Sequence, residues 1–533
     1  MADPATTEEH AQPLDKGLKV GAIGLLSAVV IGVASTAPGY SLAASLGFVT
    51  GAAGLQSPAI LWLAFVPMLF IAASYFYLNR ADPDCGTTFT WVTRAMGPIP
   101  GWIGGWAIIV ADLLVMPSLA SITGIYFFQL FGADGLANNK WWVMLVGVIF
   151  ILLMTLICVI GIELNARMQF FLLAAELTIL VVFAAVALYK VYAGDLPHSV
   201  NPSLSWLDPF QIKDFSALAD GLVIAVFLYW GWDTAVTVNE ETKDAKRTPG
   251  RAALISTVVL VLVYVIVGIA AQAVHGASFL TNNSSDVLSA TGNLVLGSPF
   301  DKFLIIAVLS SAAASTQTTI LPAARSQLSM AAHRAAPTWF GRVDHRYLTP
   351  ANATWFFGIF SVVWYVVLQT LSDNVLGASI QAVGLAIAFY YGLTGFACVV
   401  YFRRSIFKSV KNFFFVGVAP LVGGIMLFAM LYKAGSDYAQ NTTDYGSVFG
   451  VGMSFVIGIG LILLGIPLMI VWWTRSPAFF RRGRDPFPRP EPDGTGPEAP
   501  PILGVGPIRD DVPLDEAGIF TADTPVGEDD DGR

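Results

Sequence analysis

Three carboxylates stand where carboxylates are seldom found. Asp112 (WAIIVADLLVMP), Glu176 (LLAAELTIL) and Asp233 (FLYWGWDTAV) each interrupt a run of apolar residues. A carboxylate in such a setting must be protonated, paired or turned toward water, and its usual work there is to hold a proton or a cation. Two uncharged stretches bear on the same chemistry. Ser35, Thr36, Ala37, Pro38 and Gly39 lie at the middle of one apolar run, and Phe227, Tyr229, Trp230 and Gly231 at the middle of another. Proline removes a helix donor and glycine lets the chain turn, so both helices are expected to break at mid-span. The alternative for each is an ordinary proline kink or a packed aromatic. Backbone N–H groups freed around Ser35–Gly39, at the positive end of the following half-helix, would suit a carboxylate. Carbonyls freed near Phe227–Trp230 would suit an ammonium, over which Tyr229 and Trp230 could close or present their ring faces. Asp233, just past the second break, is alternatively a cap on the broken end.

Other chemistries find no residues. The sequence has no HExxH, no paired CxxC and no GxxxxGK[ST] loop, which argues against a metalloenzyme, a redox protein and an ATP-driven pump. The histidines (His10, His198, His275, His333, His345) are scattered, and three cysteines make no disulfide framework. No cofactor, metal or nucleophile is expected, and the chain does not read as an enzyme. The net charge of −8 comes partly from an acidic C-terminal end and does not imply nucleic acid.

The elements that must position these groups are membrane helices. Apolar residues make up 55% of the 533 and charged residues only 12%, against about 25% in an average soluble protein. Runs long enough to cross a bilayer fall near residues 20–48, 58–79, 99–131, 141–162, 168–192, 217–239, 252–275, 303–324, 351–371, 375–402, 412–433 and 449–473. That is an all-α protein with twelve transmembrane helices. An even count puts both termini on one side. All lysines and arginines except Lys140, Lys190, Lys213, Lys302 and Lys433 then share that side, which makes it cytoplasmic. Residues 1–17 read as a polar cytoplasmic tail, and 474–533, rich in proline, glycine and acid, as a disordered one. The interrupted spans are the first and the sixth. An offset of five makes them cross in opposite directions, as in an inverted repeat, whose matching interruptions mark a binding site.

Three stretches resemble the amino acid–polyamine–organocation (APC) superfamily of permeases. GWDTAVTVNEETKDAKRTPGR is similar to its sixth-span signature, DPDCGTTFTWVTRAMGP (82–98) to the loop after the second span, and ARSQLSMAAHRAAPTWFGRVDHRYLTPANA (324–353) to the loop after the eighth. One usual glycine in the second stretch is Thr87 here. The resemblance implies a LeuT-type five-plus-five inverted repeat over residues 18–403, with discontinuous first and sixth helices, and two further helices over 404–473. It also implies that a substrate carboxylate sits at Ser35–Gly39 and that Asp233 is a coupling or gating acid. Family members often carry an acid near Asp112. Many have a lysine where Glu176 stands, so the lysine-based coupling scheme does not transfer. Ala312, Ser315 and Thr316 resemble the hydroxyl pair of sodium-coupled relatives; with Glu176 they could ligate Na+, or simply join helices.

Together these readings lead us to expect a plasma-membrane secondary transporter of an amino acid or related amine. It would work by alternating access and be coupled to H+, with Glu176 and Asp112 as the candidate proton sites. An exchanger, an Na+ symporter and a receptor that binds without transport are the alternatives. The partners expected are the small-molecule substrate, H+ or Na+, and membrane lipid. Glu163, Glu240 and Glu241 are expected to pair with Arg167, Lys243 and Arg247 near the cytoplasmic ends.

Overall fold

In hydrocarbon a chain must satisfy its own backbone polar groups, and continuous helices do so. The computed structural model describes residues 15–284, 286–371, 375–443 and 445–481, and these are helical apart from loops and one two-residue hairpin, Ser447–Val448 with Val451–Gly452. In chain order the helices begin with α1 (Leu25–Thr36), α2 (Pro38–Ala53), α3 (Ser57–Ala81), α4 (Thr88–Met96) and α5 (Pro98–Leu130). Next come α6 (Asp134–Ala137), α7 (Lys140–Ile160), α8 (Ile162–Ala193), α9 (Phe215–Leu228) and α10 (Thr234–Thr237). Then follow α11 (Thr248–Asn282), α12 (Val287–Leu296), α13 (Lys302–Ala332), α14 (Ala351–Leu371) and α15 (Val375–Tyr401). The last are α16 (Val410–Asn412), α17 (Ala419–Gln440), α18 (Met453–Arg475) and α19 (Pro477–Arg481).

Among the described residues ten segments are long and apolar enough to cross a membrane, the first being the stretch Leu25–Ala81 that holds α1, α2 and α3. The helix α9 is apolar but shorter. Leu145, Ile149, Leu152, Leu153 and Leu156 form an exposed apolar face on α7, as a lipid-facing helix should. The chain is a multi-pass membrane protein. Helix ends carry the expected signals: Asn139, Asp214 and Asp286 accept N-terminal N–H groups, and prolines open α2, α5 and α11.

Helices α5 and α13 are buried along nearly their whole length, pack on each other, and form the centre of the bundle. Several spans run past their expected limits. Helix α13 reaches Ala332, and α11 continues to Asn282 through a kink at Gly276 (φ 80°). Only Gly161 separates α7 from α8. The loop after α3 is itself largely helical, as α4, and Thr87 enters it with φ 43°, a conformation that favours glycine. The expected tails need correcting where the structure describes them. Lys16 is buried instead of lying in a free tail, because two acids hold it, and helix continues through Arg475 and α19. The rest of both tails lies outside the described residues.

Small residues set how closely the central helices approach. A Cβ on Gly105 of α5 would lie 2.9 Å from Phe89 Cβ and 3.0 Å from Met330 Sδ; on Gly424 of α17 it would lie 3.1 Å from the Phe396 ring. Gly105→Val should therefore cost about 1–3 kcal/mol of stability through overpacking. A lowered melting temperature of the detergent-purified variant, measured against Gly460→Ala, where an added Cβ meets nothing within 4 Å, is the check.

Candidate functional site

The first break is made by Ala37. Its left-handed backbone (φ 48°, ψ 66°) ends α1 and starts α2, and Pro38 occupies the position where a missing N–H costs nothing. The remaining donors of the first turn of α2 can be accounted for one by one. Gly39 N–H donates to Glu176 Oε1 at 2.7 Å, Tyr40 N–H to Ser311 Oγ at 3.1 Å, and Ser41 N–H to the Ala37 carbonyl at 2.8 Å. Ser311 Oγ in turn donates to Glu176 Oε1 at 2.8 Å. Glu176 is fully buried, and its second oxygen, Oε2, has no hydrogen-bond partner among the described residues. The carboxylate from α8 thus sits on the N-terminus of α2, where partial positive charge collects.

At the second break α9 stops at Leu228 and α10 resumes at Thr234, with Gly231 (φ 117°) between them. Its carbonyls are partly taken: Val226 O accepts from Tyr229 N–H, Phe227 O from Trp230 N–H, and Leu228 O from the Tyr264 hydroxyl. Trp230 Nε1 donates to Tyr390 Oη (2.5 Å), which donates to Asp233 Oδ2 (3.0 Å), while Tyr391 Oη donates to Asp233 Oδ1 (2.8 Å). The Tyr229 hydroxyl instead donates to the Leu61 carbonyl, 2.8 Å away, and its ring lies edge-on to Tyr264. Phe227 meets the Tyr40 ring edge-on at 6.3 Å.

The two breaks touch. Ser35 Oγ and Thr234 Oγ1 are 2.8 Å apart, and Ser315 Oγ donates to the Ser35 carbonyl at 2.9 Å. A Cβ on Gly231 would come within 2.7 Å of that same carbonyl oxygen. Asp112, on α5, is also buried, and its Oδ2 has no hydrogen-bond partner among the described residues.

Of the residues singled out from sequence, Ser35, Gly39, Glu176, Gly231 and Ser315 come together in one centre, with Asp233 beside Trp230. Three expectations change. The donor freed within Ser35–Gly39, the Gly39 N–H, is taken by Glu176, and the next one, on Tyr40, by Ser311. Thr316 turns back to the carbonyl of Ala312 in its own helix (2.8 Å), and Thr36 to Val33 O (2.6 Å). The hydroxyl that reaches Glu176 is Ser311, one turn before Ser315, so Glu176, Ser315 and Thr316 do not form a common ligand set. Sequence reasoning also missed Tyr390 and Tyr391. The adjacent tyrosines in LAIAFYYGLTG were the available signal, since a buried phenol hydroxyl needs a partner.

A second polar cluster closes one end of the bundle. Lys16 Nζ lies 2.8 Å from Asp84 Oδ2 and also contacts Glu240 Oε1. Asp84 Oδ1 accepts from Gly86 N–H, Thr90 and Ser329 at 2.7–2.9 Å, and His333 Nε2 lies 3.3 Å from Asp84 Oδ2. Arg325 pairs with Glu241 at 2.6 Å, and Lys19 with Glu163 at 2.9 Å. The glutamates therefore pair with Lys19, Lys16 and Arg325 and not with the Arg167, Lys243 and Arg247 expected from sequence proximity. Burial pushes the Asp84 carboxyl up, but the Lys16 ammonium and the His333 hydrogen bond outweigh it and hold it well below the ordinary carboxylate range. Burial lowers the His333 imidazole below its usual 6.5. Asp84, Cys85 and Glu240 approach one another closely enough to suggest a metal site. Their cation is already present as Lys16, and burial raises the Cys85 thiol, which keeps it protonated and a poor ligand.

Comparison with known proteins adds a family. Residues 23–436 match the family model described as amino acid permease. The low-affinity putrescine importer PlaP of Escherichia coli K12 is 22% identical over 410 residues, 76% of this chain and 87% of that protein. The branched-chain amino acid permease BcaP of Bacillus subtilis is 24% identical over 365 residues, 64% of this chain and 73% of its own. The cationic amino acid transporter 7 of Arabidopsis thaliana is 22% identical over 348 residues, 61% of this chain and 55% of its own.

Two outcomes are expected from this geometry. Lys16→Met leaves the buried Asp84, and Glu240 beside it, without their cation and should cost about 3–5 kcal/mol, seen as a lowered melting temperature. Acidification should also destabilise the protein. A buried ring with a lowered pKa takes its proton more readily once unfolded, so stability falls as pH drops below about 6.5. The fall in melting temperature between neutral and mildly acidic pH should be smaller in His333→Gln than in the wild type.

Proposed function

Because the chain belongs to the amino acid permease family, we propose that it is a secondary active transporter. Its cargo is an amino acid or related amine, moved across the plasma membrane by alternating access and coupled to H+. The names of its relatives, importers and permeases for putrescine and amino acids, support that cargo class and a transporter rather than an enzyme. The observation that carries the reading is the contact between two mid-span helix breaks, with a buried carboxylate held at one of them. Interrupted helices packed together at membrane depth are how carriers build a cargo site between moving halves.

On this reading α1–α2 and α9–α10 are the first and sixth of twelve spans, the others being α3, α5, α7, α8, α11, α13, α14, α15, α17 and α18. The first ten form two inverted repeats of five. Two correspondences support the inversion. The breaks are five spans apart, and so are the short helices: α4 follows the second span and α12 the seventh. The lysine and arginine distribution makes the Lys16 end cytoplasmic.

The surroundings of Glu176 favour a proton over sodium. Its neighbours are hydrogen-bond donors, the Gly39 N–H and the Ser311 hydroxyl, and Thr316 is committed to Ala312. A sodium ion requires converging oxygen ligands, whereas a proton requires only one carboxylate oxygen, and Oε2 is unpartnered. Asp112, with its own unpartnered oxygen, is the second candidate proton site. The cargo lies against Ser35–Gly39 and Phe227–Asp233, between the two breaks.

Three measurements test the proposal. Reconstituted vesicles should accumulate cargo when a pH gradient is imposed and should not when sodium replaces it. Glu176→Gln should lose pH-driven accumulation yet retain cargo exchange between preloaded vesicles and medium; uphill uptake at the wild-type rate would remove Glu176 from the coupling step. Gly231→Leu should abolish cargo binding, because its side chain has to enter the space held by the Ser35 carbonyl. Wild-type affinity in that variant would place the cargo elsewhere.

A further inference from the structure

Every backbone donor that the first break exposes is already in use. Pro38 has none, Gly39 is bound to Glu176, Tyr40 to Ser311, and Ser41 to Ala37. An anion that enters this site must therefore displace the protein's own carboxylate, or remain beside it without donors. While Glu176 is ionised, both are unfavourable, since two carboxylates in a low-dielectric pocket repel strongly. Glu176 also presents a buried, unpartnered Oε2, as Asp112 presents Oδ2. Among the described residues no lysine or arginine forms an ion pair with Asp112, Glu176 or Asp233, although Asp84, Glu240 and Glu241 at the end of the bundle each have one.

We propose that Glu176 is a tethered substitute for a cargo carboxylate and that it sets specificity. By filling the anion-accepting turn of α2 it excludes α-carboxylates and selects cationic amines that carry none. This rests on the transport reading above and adds to it the chemical class of the cargo. An ammonium group is the complement the site lacks. It can donate to Glu176 Oε2 without disturbing the hydrogen bonds that hold α2. A zwitterionic amino acid offers the same ammonium but adds a carboxylate for which no donor remains.

The test uses matched pairs that differ only by the carboxylate: 1,4-diaminobutane against ornithine, 1,5-diaminopentane against lysine, and 3-methylbutylamine against leucine. Binding to purified wild-type protein is measured by calorimetry or ligand-induced thermal shift. The amine of at least one pair should bind about tenfold or more tightly than its parent amino acid, a difference of about 1.4 kcal/mol. In Glu176→Ala the freed Gly39 N–H should let the amino acid gain and the amine lose, so that the ratio narrows or inverts. In Glu176→Gln the amide oxygen still occupies the Gly39 N–H, so the amine should weaken while the amino acid gains nothing. An amino acid that outbinds its amine in the wild type would overturn the proposal and leave the transport reading standing. If no member of any pair binds, the proposal falls; if vesicles also fail to take any of them up, the transport reading falls with it. Because the wild-type comparison decides by itself, a variant that does not fold cannot shield the idea.

Discussion

A helix that starts inside a membrane exposes N–H groups where no water can meet them, and the rest of this structure is arranged around meeting them. The helix α2 begins at mid-span because Ala37 takes a left-handed turn and Pro38 cannot continue α1. Its orphan donors are met by Glu176 from α8 and Ser311 from α13, two helices far away in sequence. That single turn therefore ties together α1, α2, α8 and α13. The carboxylate is the stronger partner, since a charged acceptor at a helix N-terminus combines the hydrogen bond with the favourable dipole.

The second break is handled differently. Gly231 turns the chain with a positive φ, and the carbonyls left by α9 are taken by local N–H groups and by Tyr264. Its charged group, Asp233, is met by two tyrosine hydroxyls from α15. One break is thus anchored to α8 and α13, the other to α11 and α15, and the contact between the Ser35 and Thr234 hydroxyls joins the two. Hydroxyl–hydroxyl bonds are weaker than charge-assisted ones. If the bundle divides during transport, the joint between the breaks is the place where it separates at lowest cost.

The breaks themselves were legible because proline and glycine act locally: Pro38, Gly39 and Gly231 announce an interruption wherever they fall in an apolar run. The all-α character and most spans were legible from run length alone. Partners were not. Glu176 could be recognised as an acid needing an explanation, but which hydroxyl would meet it depends on how α13 is rotated, and Ser311 and Ser315 differ by only about 40° around a helix. The same limit misplaced the partners of Glu240 and Glu241. Lysines and arginines a few residues away looked like natural partners, yet Lys16 and Arg325, 224 and 84 residues distant, hold Glu240 and Glu241. Sequence neighbours were the wrong prior because Lys243, Lys246 and Arg247 are exposed, whereas Lys16 and Arg325 are buried against Glu240 and Glu241.

The contrast between the two polar clusters bears on the kind of molecule that this fold handles. At the end of the bundle Asp84 and Glu241 are buried and Glu240 largely so, and each is paired with a resident lysine or arginine. At the centre Asp112, Glu176 and Asp233 are as deeply buried, but their contacts are neutral donors or none. Burying an ionised carboxylate costs several kcal/mol, roughly, even after relaxation, so it persists in a fold only where a counter-charge or a function offsets it. A resident cation at the end of the bundle makes a closed, static lock. On the transport reading proposed above, its absence at the centre among the described residues leaves a charge deficit for a mobile positive species, a proton or a cationic cargo, to fill and then vacate. A resident lysine there would neutralise the acids permanently and leave nothing for such a species to bind.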